Sequence, residues 1–299
     1  PMPSSADEKN TSRLEKTQHI TLIDGARRTT NAKPQLQSCA AMVLMTILYA
    51  ARVGRFDLFK PINFLAKRIT KWDGKCDARL HQLMSYINET VDEIMMGYIC
   101  IDDPPSALTL HLYVDADFAG CPYTLKSTSG IHLDVEGPNS RFPWAAATVG
   151  QTSRAQSTPE AELASMNAGM KTKGEPAFSI WTTLLAQYHE KGWNVTINLH
   201  EDNTTAIVGA RTGKNPTMKT LERGFGVVIG WINEQIAKGY FNIIHTGTRH
   251  MSADIYTKCC QNPVLWNCAK KLINVFTRKD IETGNFNPDI DWLLEEVRK

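Results

Sequence analysis

Apolar and polar positions along this chain follow two different rhythms. Over residues 38–96 the spacing is helical: an apolar run at 39–51 (CAAMVLMTILYAA) precedes Phe56, Leu58, Phe59, Ile62, Phe64 and Leu65, then Leu80, Leu83, Met84 and Ile87. This predicts three helices, the first of them buried, with Trp72-Asp73-Gly74 as a break. Two prolines make residues 101–106 a linker. Beyond it the period becomes two. Leu108, Leu110, Leu112 and Val114 alternate with Thr109, His111, Tyr113 and Asp115, and Ile131, Leu133 and Val135 repeat the pattern. A third strand is expected over 142–149, a fourth through Val195, Ile197 and Leu199, and a last one over 240–245.

Helices are expected between these strands. One starts at Ser157 or Thr158 with Pro159 in its first turn and runs to Lys171, where Gly174 and Pro176 interrupt it. Others cover 177–190, 204–210, 217–238 and 252–258, the last capped by Ser252. The tail from Val264 reads as two amphipathic helices, the second through Ile290, Trp292, Leu293 and Val297. The order of elements predicts a mixed α/β layer rather than a doubly wound nucleotide fold. Four segments follow: a polar arm at 1–36, a helical region with linker at 37–106, the α/β domain at 107–262, and C-terminal helices at 263–299.

Composition narrows the partners. The 299 residues are 42% hydrophobic and 21% charged, as a globular protein requires, and 33 Lys+Arg against 31 Asp+Glu leave a net charge of +2. Nucleic-acid binding would therefore depend on local patches, with Arg27, Arg28 and Lys33 in the arm as one candidate. The 7 cysteines form no CxxC pair, so they read as reduced thiols and the chain as intracellular, in cytoplasm or nucleus with an organelle also open. The apolar run at 39–51 is shorter than the roughly 20 residues a spanning helix needs, so no membrane partner is expected. The chain begins at Pro1 rather than methionine, which reads as a piece of something longer.

The chemistry lies in the acidic residues. Asp115 is in the first strand on the face opposite Leu112 and Val114; Glu162 is early in the helix after the third strand; Asp202 ends the fourth strand; Asp254 opens the last short helix. Strand ends and helix starts are where an α/β layer opens to ligands. Two unit charges about 4 Å apart repel by roughly 4 kcal/mol at an effective dielectric near 20, so such a cluster calls for a cation. Oxygen-only ligands favour Mg2+ or Mn2+, and two such ions suit phosphodiester hydrolysis.

Five words run in order over this region: Tyr113-Val-Asp-Ala-Asp-Phe-Ala-Gly120, Lys126-Ser-Thr-Ser-Gly130, Ser157-Thr-Pro-Glu-Ala-Glu162, Glu201-Asp-Asn-Thr-Thr-Ala-Ile207 and Ala253-Asp-Ile-Tyr-Thr-Lys258. With these words the chain resembles the ribonuclease H domain of a copia-type LTR retrotransposon polyprotein. The stretch Leu48-Tyr49-Ala50-Ala51-Arg52 with Arg55-Phe56-Asp57 is similar to the end of the polymerase that precedes it there. The resemblance implies a ribonuclease H-like five-stranded mixed sheet flanked by helices. It implies hydrolysis of the RNA strand of RNA–DNA hybrids by two Mg2+ ions (or Mn2+) on Asp115, Glu162, Asp202 and Asp254, with Asp115 shared between them. His250 assists proton transfer or product release, in preference to His245; His200 reads as a strand-face residue. Ser127, Thr128 and Asn203 contact substrate, with Lys126, Arg211, Lys214 and Lys219 as further phosphate contacts.

Glu160 competes with Glu162 for the site, but Ser157 to Glu160 fits a capping box and gives it a structural role. Asp117 is auxiliary at most. The chain departs from the family pattern at the Gly174-Glu175-Pro176 break and at Arg223-Gly-Phe-Gly-Val227. A repurposed, non-catalytic scaffold within a larger assembly, such as the rest of a reverse transcriptase, is the alternative reading.

Overall fold

The computed structural model describes residues 33–186, 195–214, 229–258, 262–284 and 286. Most of the polar arm, the Arg223-Gly-Phe-Gly-Val227 word, Lys219 and the last expected helix lie outside these residues. The chain divides into two compact units, one made of the residues up to Leu48 with Pro61–Val91, the other of Tyr49–Lys60 with everything from Asp92 onward.

The helical rhythm produces α1 (Gln37–Gly54), α2 (Phe59–Ala66) and α3 (Gly74–Glu89). The break at 72–74 is a cap: the Asp73 side chain accepts the Cys76 N–H and starts α3. Helix α1 is not the buried helix expected. Ala40, Leu44 and Ala51 are covered, while Met42, Met45, Tyr49 and Val53 are exposed. Its 18 residues make it long and apolar enough to cross a membrane by length and composition alone.

In the larger unit, β2 (Thr109–Asp117), β3 (Thr128–Glu136), β4 (Arg141–Gly150), β5 (Ile197–Glu201) and β6 (Phe241–His245) form one sheet in the order β4-β3-β2-β5-β6. Strands β2, β3 and β4 are antiparallel neighbours, whereas β5 and β6 run parallel to β2. Helices α4 (Thr158–Gly169), α5 (Glu175–Leu184), α6 (Thr204–Thr212) and α7 (Ile229–Ala237) flank it. The mixed five-stranded α/β architecture is thus the one expected.

Leu110, Leu112, Val114, Ile131, Leu133, Ile197 and Leu199 form the apolar face of the sheet, and Leu163, Met166 and Met170 pack into the same core. Their spacing in α4 is the i, i+3, i+7 of a single helix face. That helix is not interrupted where glycine and proline suggest. It passes through a π-helical turn at Met170–Gly174 straight into α5. Pro176 sits in the first turn of α5, where the N–H it lacks is least missed.

Two further expectations change. The tail forms α8 (Pro263–Leu272), β7 (Val275–Phe276) and α9 (Arg278–Thr283), and β7 pairs antiparallel with β1 (Ile94–Met95). Strands of two residues are too short to show alternation, so none was legible. The proline-rich 101–106 segment is also more than a tether. Asp103 is buried and accepts hydrogen bonds from Asn139 N, Asn139 Nδ2 and Ser140 Oγ, which fix it to the β3–β4 turn.

Candidate metal centre

Parallel pairing sends β2, β5 and β6 out of the sheet at the same end, so the residues that finish these strands gather there. Asp115 is near the end of β2, Asp202 directly follows β5, and the loop after β6 carries Thr248 and His250. Asp115, Glu162 and Asp202 offer carboxylate oxygens that all lie within 4.8 Å of one another. Asp115 and Glu162 are buried; Asp202 is half-buried.

Local structure aims each of them. Ser165 Oγ donates to the Asp115 carbonyl at 2.7 Å, locking α4 against β2 with Glu162 one turn earlier. Gln151 donates through Nε2 to Ser129 Oγ and the Ala161 carbonyl, tying β3 and the start of α4 together. Asp202 Oδ2 accepts the Thr248 hydroxyl at 2.8 Å. Asp115 Oδ2 accepts the Thr257 hydroxyl. Opposite Asp115 in the β2–β3 ladder stands Gly130, where a Cβ would lie 2.7 Å from both the Ala253 carbonyl and Thr257 Cγ2. Only glycine lets the segment carrying Asp254 approach so closely.

Asp254 lies outside the three-carboxylate group. It sits in a 3-10 turn, Ser252–Tyr256, and is joined to Asp115 through a shared cation: Lys258 Nζ is 2.7 Å from Asp254 Oδ1 and 3.4 Å from Asp115 Oδ1. A fifth carboxylate completes the cluster. Glu201 is fully buried, and the repulsion of this group acts on Glu162. Sequence reasoning missed it, although continuing the Ile197, Leu199 alternation by one step puts Glu201 on the buried face.

The electrostatics follow from crowding. Burial first, then repulsion from Glu201, Asp115 and Asp202, pushes the Glu162 carboxyl up to about 11, with Lys258 opposing. Burial and the neighbouring Asp202 and Asp115 hold Glu201 well above the carboxylate range. Asp254 rises to about 7 through burial and Asp115. Among the described residues, Oε2 of both Glu162 and Glu201 is buried with no hydrogen-bond partner. An all-oxygen donor set with an unpartnered, proton-holding carboxylate is what a hard divalent cation would complete.

The other expected site residues are placed as follows. The capping box expected at Ser157 and Glu160 is not formed: Ser157 makes no side-chain cap bond, and Glu160 Oε2 instead accepts the N–H of Gln156, one residue before the cap, at 2.6 Å. Asp117 accepts from Thr128 N and pairs with Lys60 at 2.9 Å. Ser127 and Thr128 are buried, and Ser127 Oγ accepts the Ala119 N–H at 3.0 Å. Asn203 caps α6 by accepting the Ala206 N–H. Arg211 donates to the Ile243 carbonyl, and Lys126 to the Thr152 carbonyl. His245 and His250 are both exposed. His200 lies on the sheet face, its ring against those of both His111 and Tyr113, with burial and the neighbouring His111 lowering it to about 3.

No protein-family model matches the chain, and no curated protein sequence matches it. Among solved structures it is similar to LC11-RNase H1, isolated from compost by a metagenomic approach, at 12% identity and a TM-score of 0.32, over 50% of this chain and 92% of that one. It is similar to RNase H1 from the halophilic archaeon Halobacterium salinarum at 13% identity and 0.29, over 48% and 90%. It is also similar to the foamy viral protease-reverse transcriptase in complex with an RNA/DNA hybrid, at 12% identity and 0.37, over 76% and 27%.

Proposed function

We propose that this chain is a metal-dependent ribonuclease H of the copia-type LTR retrotransposon kind, hydrolysing the RNA strand of RNA–DNA hybrids. The observation that carries the reading is the cluster of Asp115, Glu162 and Asp202, whose oxygens lie within 4.8 Å of one another at the open end of the sheet. In this reading Asp115, Glu162, Asp202 and Asp254 hold two Mg2+ ions, with Mn2+ as a substitute. Bound there, divalent ions supply an activated water and stabilise the leaving oxygen of a phosphodiester.

The chain's own residues prepare that chemistry. Asp115 stands between Glu162 and Asp202 on one side and the Asp254 segment on the other. A cation held there would need the Glu162 carboxylate without its proton, so its uptake would be coupled to release of acid. His250, at the exposed end of the loop anchored on Asp202 by Thr248, is the residue for proton exchange with water. The partners of this reading are the hybrid and, where the chain is part of a polyprotein, the remaining reverse transcriptase.

The test is cleavage of an end-labelled RNA–DNA hybrid in Mg2+, beside Asp115→Asn. Cutting of the RNA strand by the parent and none by the variant is the expected result. A folded parent that cuts in neither Mg2+ nor Mn2+ would overturn the proposal in favour of a non-catalytic scaffold.

A further inference from the structure

The acid cluster is crowded on one side and already served by a cation on the other. Lys258 reaches back from the end of the Asp254 segment, and its ammonium lies against Asp254 Oδ1 and Asp115 Oδ1 together. Its position is built rather than incidental. The Lys258 N–H closes a helical turn on the Asp254 carbonyl at 2.8 Å, the adjacent Thr257 hydroxyl bonds Asp115, and Gly130 admits the whole segment against β3. Glu162 and Asp202 make no such ion pair with Lys258. The two halves of the cluster therefore differ: Lys258 acts on Glu162 and Asp202 only at a distance, while its ammonium touches Asp115 and Asp254.

We propose that Lys258 is a positioning residue that makes the two halves bind divalent ions unequally. Its ammonium sits directly on the Asp115–Asp254 pair and acts on Glu162 and Asp202 only from further off, so the Asp115–Glu162–Asp202 set loads first. This rests on the two-ion reading above and adds an order to it. The first ion would be held by the set that Lys258 contests least, and the second would need the Lys258 ammonium to move off the two carboxylates. Nearly half the Lys258 side chain is open to water, so it has somewhere to go.

Calorimetric titration of the full chain with Mn2+, then Mg2+, tests this without relying on turnover. The parent is expected to take up ions in two unequal steps. Lys258→Met should strengthen the weaker step about tenfold, the weight of one charge-assisted hydrogen bond, and the tighter step by much less. Lys258→Arg, which keeps the charge, should restore the inequality. A structural role alone would shift the melting temperature of Lys258→Met without changing the ratio of the two affinities. Two equal steps in the parent, or a weaker step that Lys258→Met leaves unmoved, would overturn the assignment to Lys258 while the nuclease reading stood. A parent that takes up no ion would bring down both.

Discussion

Two groups of buried acids share this sheet, and they are built in opposite ways. Asp134 and Glu136 sit on the polar face of β3, where Arg141 Nε lies 3.4 Å from Asp134, His132 Nε2 lies 3.5 Å from it, and the Tyr113 hydroxyl donates to Glu136 at 2.8 Å. Burial alone would raise Asp134, but the hydrogen bond from His132 and the guanidinium of Arg141 bring it below its ordinary value. Arg141 also donates to the Leu272 carbonyl, so this cluster is a joint that holds the tail to the sheet. At the end of β2 the balance is reversed. Glu162, Glu201 and Asp254 are all raised, with Lys258 as the opposing cation, whereas in the first group Glu136 alone is raised and Asp134 is held down. Burial is common to both groups. What separates a structural acid from a ligand in waiting is whether the chain supplies the counter-charge.

The sharpest way to break this comparison is to remove the counter-charge from the balanced cluster. Arg141→Met leaves Asp134 buried beside Glu136 without its cation and should cost about 3–5 kcal/mol in urea unfolding. Mg2+ should not recover the loss, because the Asp134 group includes a histidine and a tyrosine contact rather than an open oxygen set. A small loss, or one restored by Mg2+, would mean that the two clusters are not distinct.

The pH dependence of the metal-free protein should carry one sign at Glu162 and Asp254 and the other at Asp134, while Glu136, raised to about 7 by burial and the charge of Asp134, falls on the side of Glu162. Glu162 keeps its proton in the folded state to about pH 11, whereas in the unfolded chain it loses it near 4.5. Between these values the folded state binds more protons, so the stability it contributes below pH 4.5 is lost steadily as pH rises. The slope is at most about 1.4 kcal/mol per pH unit for this group. Asp254 adds the same sign between 3.8 and about 7. Asp134 acts the other way: its contribution is present above its unfolded value of 3.8 and fades as pH falls through the lower folded value. Thermal melts from pH 5 to 9 in chelator should show the decline, and Glu162→Gln should flatten it. A flat parent profile would mean the carboxylates do not crowd as described.

Much of this arrangement is legible in the sequence because it obeys a period. Strand alternation gives the apolar face through Leu110, Leu112 and Val114, and it sets Asp115 on the other one. The words around Asp115, Glu162 and Asp202 mark residues that the fold brings together from three elements. The rest depends on tertiary partners. The polar face of β3 reads as solvent-facing, yet His132 and Asp134 are covered, because Phe56 and Tyr256 close over His132 from distant segments. Glu201 lies one step beyond the apolar residues that define its strand, so its burial shows only once β5 is seen to run that far. Continuity of α4 into α5 was hidden by Pro176, since proline signals a break unless a π turn absorbs it. For Lys258 the sequence spacing shows a link to Asp254 four residues back, but not the reach across to Asp115.

The smallest effect probes the unbalanced cluster most directly. Asp202 is half-buried and stands against Asp115 and Glu162, with carboxylate oxygens within 4.8 Å of one another. Asp202→Asn removes that charge and keeps an oxygen that can accept the Thr248 hydroxyl. The metal-free variant should be more stable than the parent by about 1 kcal/mol, well under the roughly 4 kcal/mol of an unscreened pair 4 Å apart, because water reaches this carboxylate. A shift of that size is about 2–4 °C in melting temperature. Mg2+ should then invert the order, raising the parent more than the variant, since the charge that destabilises the metal-free site is the one that binds the ion. A metal-free Asp202→Asn protein less stable than the parent would show that Asp202 is held by its contacts with Thr248 and the loop rather than repelled by its neighbours. The cluster would then need no cation to persist.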